Sequence, residues 1–295
     1  MFSLVESFRS ALQSIFAHGF RSFLTSLGII IGVASVIAVV SIVQGFSASI
    51  SSEFKGLGSN SLTVKAYTSF EEALQGKENV LSLGDYERIV AHIDDISNVS
   101  PTFAPFGNFG TTVRSGSQTA FTQVLAVTEA YMESSQVFPQ TGRFIRASDD
   151  DSRRKVCVIG SKVRETLRLP ADPVGQFLEI GGEWFKIIGV TEEKGEAFGF
   201  SKDDYILIPF SVGQIVAGTG TRLNIAISFT VDDIEQIDAV QGRVTSLLRQ
   251  AHRLKPGQRN DFKVQTSQQL SDAFEKVVGM TTLVLGGIVG ISLLV

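Results

Sequence analysis

The chain has 295 residues, a net charge of −4 and 43% hydrophobic residues, with a mean hydropathy of +0.20. That length allows two modest domains, and the mild acidity without any basic stripe excludes nucleic acid as a partner. The lone Cys157 excludes an internal disulfide.

The excess hydropathy sits at the two ends. Residues 1–21 carry Val5, Phe8, Leu12, Ile15, Phe16, Gly19 and Phe20 at three- and four-residue spacing, opposite Ser3, Glu6, Arg9, Ser10 and Gln13. The pattern predicts an amphipathic helix lying in a membrane interface, with Phe8, Leu12, Phe16 and Phe20 on its apolar face. Residues 22–52 contain no charge, and the 21 residues from Phe23 to Val43 form their apolar heart. A helix of that length crosses a hydrocarbon core of about 30 Å, so 22–52 is expected to be a first transmembrane helix with a stalk. A signal peptide fits less well, because the apolar run is too long and no A-x-A site follows it. Arg9 and Arg21 against Glu6 place the N-terminal flank in the cytoplasm and the domain at 53–276 outside it. The uncharged run at 277–295 reads as a second membrane helix that is cut short.

Within 53–276, "SLTVKAY" (Ser61 to Tyr67) alternates as a strand, and "SLGD" (Ser82 to Asp85) has capping-box spacing before the helical stripe Leu83, Tyr86, Ile89, Val90 and Ile93. "SPTFAP" (Ser100 to Pro105) opens an extended region, followed by a hairpin around Gly116. "KVCVIG", "FLEIGGEWFKIIGV" and "DYILIP" read as strands, with Gly181-Gly182 as a two-residue hairpin turn. A second strand-helix-strand unit closes the domain. It comprises "RLNIAISFTV" (Arg222 to Val231), a helix whose stripe runs through Ile237, Val240, Val244 and Leu248, and "DFKVQT" (Asp261 to Thr266). Two such units at the ends predict one α/β lobe made from 61–128 and 222–270, with a β-rich lobe, 129–221, inserted between them.

Catalytic chemistry has no foothold in the motifs. The three histidines, His18, His92 and His252, are far apart, each on a predicted helix, and read as surface or structural groups. No G-x-x-x-x-G-K-[ST] phosphate loop and no G-x-S-x-G elbow occur. Cys157 lies in an apolar strand, where it reads as inert. "SDDDSRRK" (Ser148 to Lys155) lacks the oxygen spacing of a calcium loop and reads as a solvated loop. No metal site, no cofactor and no activity as an enzyme by itself are expected. In the membrane runs, Gly28 and Gly32 are four apart, as are Gly286 and Gly290. That spacing allows close packing of helix backbones.

The ordered set "RSFLTSLGIIIGVASVIAVV", "GLGSNSLTV", "QTGRFI", "VCVIGSKV", "DPVGQFLEIGGEWFKIIGVTEEKG", "LLRQAHRLKPGQRNDFKV" and "GGIVGISLLV" resembles the MacB/FtsX-type permease subunits of ABC transporters. The resemblance runs over essentially the whole chain. It implies an α+β membrane protein of the bacterial cytoplasmic (inner) membrane, in which transmembrane helices flank an extracytoplasmic domain with a porter-like α/β subdomain and an inserted β-rich one. It further implies a dimer of permease protomers in the lipid bilayer, with ATP bound by a separate ABC ATPase subunit. A periplasmic adaptor and an outer-membrane channel are partners of some members. The MacB proteins proper carry an ATPase domain before the first membrane helix, so a start about twenty residues before that helix resembles the stand-alone permeases. The family's mechanism is described as mechanotransmission, in which ATP hydrolysis moves the membrane helices and thereby the outer domains. A membrane-anchored sensor or binding module, and an FtsX-like activator of cell-wall hydrolases, are the competing readings.

Overall fold

A computed structural model describes residues 60–197, 200–218 and 220–266, with scattered residues from 19–45 and 269–284. Contacts divide the chain into two units, Met1–Ser51 with Asp272–Val295, and Ser52–Ser271. In the first unit the described residues are helical. Among the described residues no helix is long and apolar enough to cross a membrane. About half of the span expected over 22–52 is described, and those residues are helical, whereas most of 277–295 and most of the interfacial helix at 1–21 lie outside the described residues.

The second unit begins with β1 (Ser61–Ala66), α1 (Phe70–Leu74), α2 (Leu83–His92) and β2 (Ile96–Thr102). There follow β3 (Thr111–Ser115), β4 (Gln118–Val127), α3 (Tyr131–Ser134), β5 (Pro139–Gly142), α4 (Ala147–Asp151), β6 (Val156–Ile159) and α5 (Ser161–Thr166). Next come β7 (Phe177–Ile180), β8 (Glu183–Thr191), β9 (Glu196–Ala197), β10 (Phe200–Ser201), β11 (Tyr205–Pro209) and α6 (Phe210–Ala217). The unit ends with β12 (Ala226–Val231), a 3-10 turn at Ile234–Gln236, α7 (Ile237–Ala251) and β13 (Phe262–Thr266).

The first and last segments form a four-stranded antiparallel sheet in the order β13-β1-β12-β2. β1 and β2 flank β12, while β12 and β13 flank β1, so the two strand-helix-strand units interleave as a split βαβ, or ferredoxin-like, lobe. Local sequence sets its parts. Leu62 and Val64 are buried while Thr63 and Lys65 are not, the alternation that a sheet with one covered face requires. The Asp85 carboxylate accepts hydrogen bonds from the Ser82 N–H (2.9 Å) and hydroxyl (2.7 Å), which satisfies the start of α2. On α7, Val240, Val244 and Leu248 are buried at four-residue spacing and join Leu62, Val64, Ile89, Phe229 and Phe262 in one core.

The inserted segment forms a seven-stranded sheet, β5-β8-β6-β11-β4-β3-β7, and β7 pairs again with β8. That extra pairing closes β8-β6-β11-β4-β3-β7 into a ring, which removes the free edges of those strands. Cys157, Ile159, Phe185, Ile187, Ile206 and Ile208 belong to one apolar cluster, while Val156, Val158, Ile188 and Leu207 belong to another. β6, β8 and β11 are therefore buried on both faces, which is why "VCVI" and "YILIP" show no polar alternation. The turns follow the expected chemistry. Gly181 and Gly182 have φ of 59° and 88° between paired Ile180 and Glu183, a type I′ arrangement.

One boundary differs from the sequence reading, which assigns 61–128 to the α/β lobe. Hydrogen bonding places Thr111–Ser115 and Gln118–Val127 in the seven-stranded sheet instead. The cause is a long-range parallel pairing of β4 with β11, from Gln123–Tyr205 to Val127–Pro209, which no local pattern encodes. The segment Ser148 to Lys155, read as a solvated loop, also differs. It contributes to α4, where Asp149 is fully buried.

Backbone crowding gives a sharp test of this packing. A Cβ on Gly160 would lie 2.0 Å from the Asp203 carbonyl oxygen, inside the loop that leads into β11. Neither backbone can yield without disturbing the β6–β11 pairing. Gly160→Ala is expected to cost about 3 kcal/mol or more, since overpacking against fixed atoms forces backbone movement. Urea denaturation of the variant beside the wild type checks this, and an unchanged midpoint would contradict the placement.

Candidate functional site

The four-stranded sheet has a covered face and an open one. On the open face the alternation that buries Leu62 and Val64 leaves Thr63 opposite both Ser228 and Gln265, and Lys65 opposite Lys263. The hydroxyls of Thr63 and Ser228 are 3.3 Å apart. Facing these residues are Gln123 and Leu125 of β4, together with Tyr131 and Ser135. Between the two walls lies a cleft of about 600 Å³, with Phe103 and Ile225 in its lining. The volume is in the range of small-molecule sites, about 300–1,000 Å³. Burial raises the Tyr131 phenol above its ordinary value, so it stays neutral and can donate or accept at pH 7.

Direct contacts join the two walls beside the cleft. Phe103 donates its N–H to the Ala126 carbonyl (3.3 Å) and accepts from the Ala126 N–H (2.8 Å), an isolated bridge between the sheets. The Ser100 and Thr128 hydroxyls meet at 2.9 Å beside it. The Phe103 ring packs edge-on against Phe210 at 5.1 Å, and Gly213 admits Ala126 so closely that a Cβ there would be 2.3 Å from the alanine methyl. Phe103 thus serves both as a fastening between lobes and as part of the cleft.

Of the charged side chains only Lys65 is among the cleft's described lining; the buried ion pairs lie elsewhere. In the inserted lobe Arg143 donates to Asp149 through two nitrogens, at 2.5 and 3.0 Å, and Arg154 approaches at 3.6 Å. The Arg146 N–H adds a further bond at 3.1 Å. The Arg143 guanidinium, with the Arg146 N–H, holds the Asp149 carboxyl below its ordinary range despite burial. Asp203, also buried, ties the loop before β11 by accepting the N–H groups of Lys194 and Gly195 at 2.8–3.1 Å.

The sequence-singled residues scatter. His92 ends α2, with its ring near the Arg88 carbonyl (3.0 Å), and His18 lies outside the described residues. His252, just past α7, faces two carboxylates, placing Nδ1 2.8 Å from Asp261 and Nε2 3.3 Å from Asp85. It bridges the start of α2, the end of α7 and the start of β13. No spacing in the sequence announces this contact, because its members lie on three separate elements. Among the described residues no group of three metal-ligating side chains could hold an ion. Cys157 is fully buried, and burial pushes its thiol far up. Gly28, Gly32 and Phe20 are helical, with Phe20 exposed. Gly286, Gly290, Phe8, Leu12 and Phe16 lie outside the described residues. The cleft residues carry no sequence motif.

A split βαβ lobe with a β-ring inserted into it, entered and left by neighbouring strands β1 and β13, is the architecture of the domain, and its sequence gives the class: a MacB-like periplasmic core domain. Residues 22–247 match the MacB-like periplasmic core domain, and the chain belongs to that family of ABC transporter permeases. It is 31% identical over 296 residues to the macrolide export ATP-binding/permease protein MacB of Azoarcus sp. (strain BH72), covering 100% of this chain and 43% of that protein. It is 28% identical to the uncharacterized ABC transporter permease YvrN of Bacillus subtilis (strain 168), covering 98% of this chain and 72% of that one. The chain therefore spans less than half the length of the MacB relative. In fold it is similar to the periplasmic region of MacB from Actinobacillus actinomycetemcomitans, with a TM-score of 0.61 at 18% identity, covering 77% of this chain and 97% of that one. It also resembles the extracellular domain of the noncanonic ABC-type transporter YknZ from Gram-positive bacteria, with a TM-score of 0.55 at 21% identity over 70% of this chain and all of that one.

The Arg143–Asp149 pair yields a prediction with a definite pH sign. Because the folded-state carboxyl is depressed, its contribution is present above its unfolded value of about 3.9 and is lost as pH falls through the lower folded value. Arg143→Gln leaves a buried carboxylate with one fewer cation. At pH 7 it is expected to cost about 2–4 kcal/mol, and the gap to wild type should narrow as pH falls below about 4. Urea unfolding of both proteins across that range measures it; a gap independent of pH would refute the assignment.

Proposed function

We propose that the chain is the anchoring and extracytoplasmic part of a permease protomer in an ABC-type export or mechanotransmission complex. On this reading, residues 22–52 and 277–295 span the inner membrane, 53–276 lie outside the cytoplasm, and a second protomer and an ABC ATPase complete the machine. The chain itself neither binds ATP nor catalyses a reaction, and the nucleotide belongs to the partner.

One observation carries the reading. β1 and β13 are antiparallel neighbours, with Leu62 opposite Thr266. The chain thus enters the domain at the start of one strand and leaves it at the end of its neighbour, at the same end of the sheet. Any relative shift of the segments before Ser61 and after Thr266 acts first on these two paired strands. The open face of the same sheet forms one wall of the cleft, while the other wall is tied to it through the Phe103–Ala126 seam. A pull at the entry edge is therefore positioned to open or close the cleft by hinging at that seam, as small shifts are amplified where packed lobes meet.

The test requires no knowledge of the cargo. Spin labels at Lys65 and Gln123, on opposite walls of the cleft, report the distance between lobes by pulsed electron resonance. In the full-length permease assembled with its ATPase, that distance is expected to differ between ATP-bound and ADP-bound states. It should stay constant when the ATPase carries an inactivating substitution in its phosphate loop. Identical distance distributions in both nucleotide states would overturn the coupling.

A further inference from the structure

We infer that Gln241 is a positioning residue that fastens the segment leaving the domain to α7 and to the edge of the four-stranded sheet. The inference deepens the permease reading and rests on it for the role in coupling; the fastening itself is tested at equilibrium without nucleotide.

β13 is the outer strand in the order β13-β1-β12-β2, and an outer strand presents backbone N–H and C=O groups on its free side. The Tyr67 N–H donates to the Asp261 carbonyl at 2.8 Å. In the antiparallel register Asp261, Lys263 and Gln265 therefore turn their backbone groups toward β1, while Phe262, Val264 and Thr266 turn theirs to the free side. Two of those outward groups are met by side-chain amides. Gln241 Nε2, on α7, donates to the Val264 carbonyl at 2.7 Å, and the Thr266 N–H donates to Gln269 Oε1 at 3.3 Å.

The two amides also pair with each other. Gln241 Nε2 donates to Gln269 Oε1 at 3.3 Å, and Gln269 Nε2 donates to Gln241 Oε1 at 3.2 Å. The Gln269 N–H donates to Thr266 Oγ1 at 2.9 Å, which completes the reciprocal contacts of a capping box. Gln269 is helical and belongs to the same unit as α7 and β13. A carboxamide carries two donors and an acceptor on one planar group, so no charged or apolar side chain of similar length can make all three bonds of Gln241.

Through Gln241 a pull on the segment after Thr266 reaches α7 as well as β13. Val240, Val244 and Leu248 of α7 are buried in the core beneath the sheet. A displacement of Gln269 therefore moves strand and helix together, because a close-packed core transmits strain.

The experiment uses the full-length permease in phosphatidylcholine nanodiscs with two variants that keep the side-chain length. Gln241→Glu removes the donor, and Gln241→Met removes donor and acceptor. Hydrogen exchange, read by mass spectrometry, is expected to quicken about fivefold in the peptide covering 262–269 in both variants, the worth of one hydrogen bond. Unchanged exchange in α2 shows that the variants are folded. With the ATPase bound, the ATP-dependent change in the spin-label distance between positions 65 and 123 should fall to about half or less, which a merely structural contact would not alter. Exchange at 262–269 equal to that of the wild type would overturn the fastening. Faster exchange with a full ATP-dependent distance change would overturn the positioning role. A wild type whose distance ignores nucleotide would refute the permease coupling, and the positioning role with it, while the exchange comparison still decides the fastening.

Discussion

The pairing of β1 with β13 is the constraint on which the rest of the domain depends. Leu62 meets Thr266, so the two ends of the described domain are stitched together across the whole length of the intervening chain. Closing so long a loop carries an entropic cost that grows only slowly with length, which is why an entire β-ring can be inserted between β2 and β12 without forfeiting the sheet. Once β1 is flanked by β12 and β13, both helices must cross the same face. Leu62, Val64, Phe229 and Phe262 are then sealed beneath α2 and α7.

The opposite face follows from the same alternation. A strand that buries every second residue on one side presents the others on the reverse, and here those are Thr63, Lys65, Ser228, Lys263 and Gln265. The sheet does not leave that face wholly to solvent. The inserted ring folds back over part of it, fastened at Phe103 and Ala126, and the gap that remains is the cleft. Core and cleft are thus two consequences of one period-two pattern. The Phe103–Ala126 bridge, the Ser100–Thr128 hydroxyl pair and the Phe103–Phe210 contact lie within an apolar core that runs through both lobes.

Much of the architecture was legible. Ser82 and Asp85 announced the start of α2, the stripe Val240, Val244 and Leu248 announced the buried face of α7, and the Gly181-Gly182 pair announced the hairpin between β7 and β8. These signals are local, since a cap, a helical stripe and a turn each depend on residues within a few positions of one another. The membership of β3 and β4 was not legible, because the parallel pairing of β4 with β11 joins distant segments. The burial of Asp149 was hidden in an acidic run that resembles a solvated loop, and only the approach of Arg143 and Arg154 makes a buried carboxylate tolerable there. His252 read as a solitary histidine until folding brought Asp85 and Asp261 to its two nitrogens.

The sequence by itself determined that this protein is a two-lobed α/β domain of the permease kind, set between uncharged segments and free of catalytic motifs. Those properties reside in periodicity, composition and ordered short motifs, which act over a turn of helix or a pair of strands. The tertiary structure decided that the ring closes, that β4 belongs to it, that Lys65 and Lys263 face each other, and that a cleft opens where the lobes meet. Each of these depends on register between segments far apart in the chain, and register is set by the packing of whole faces rather than by any residue's neighbours in sequence.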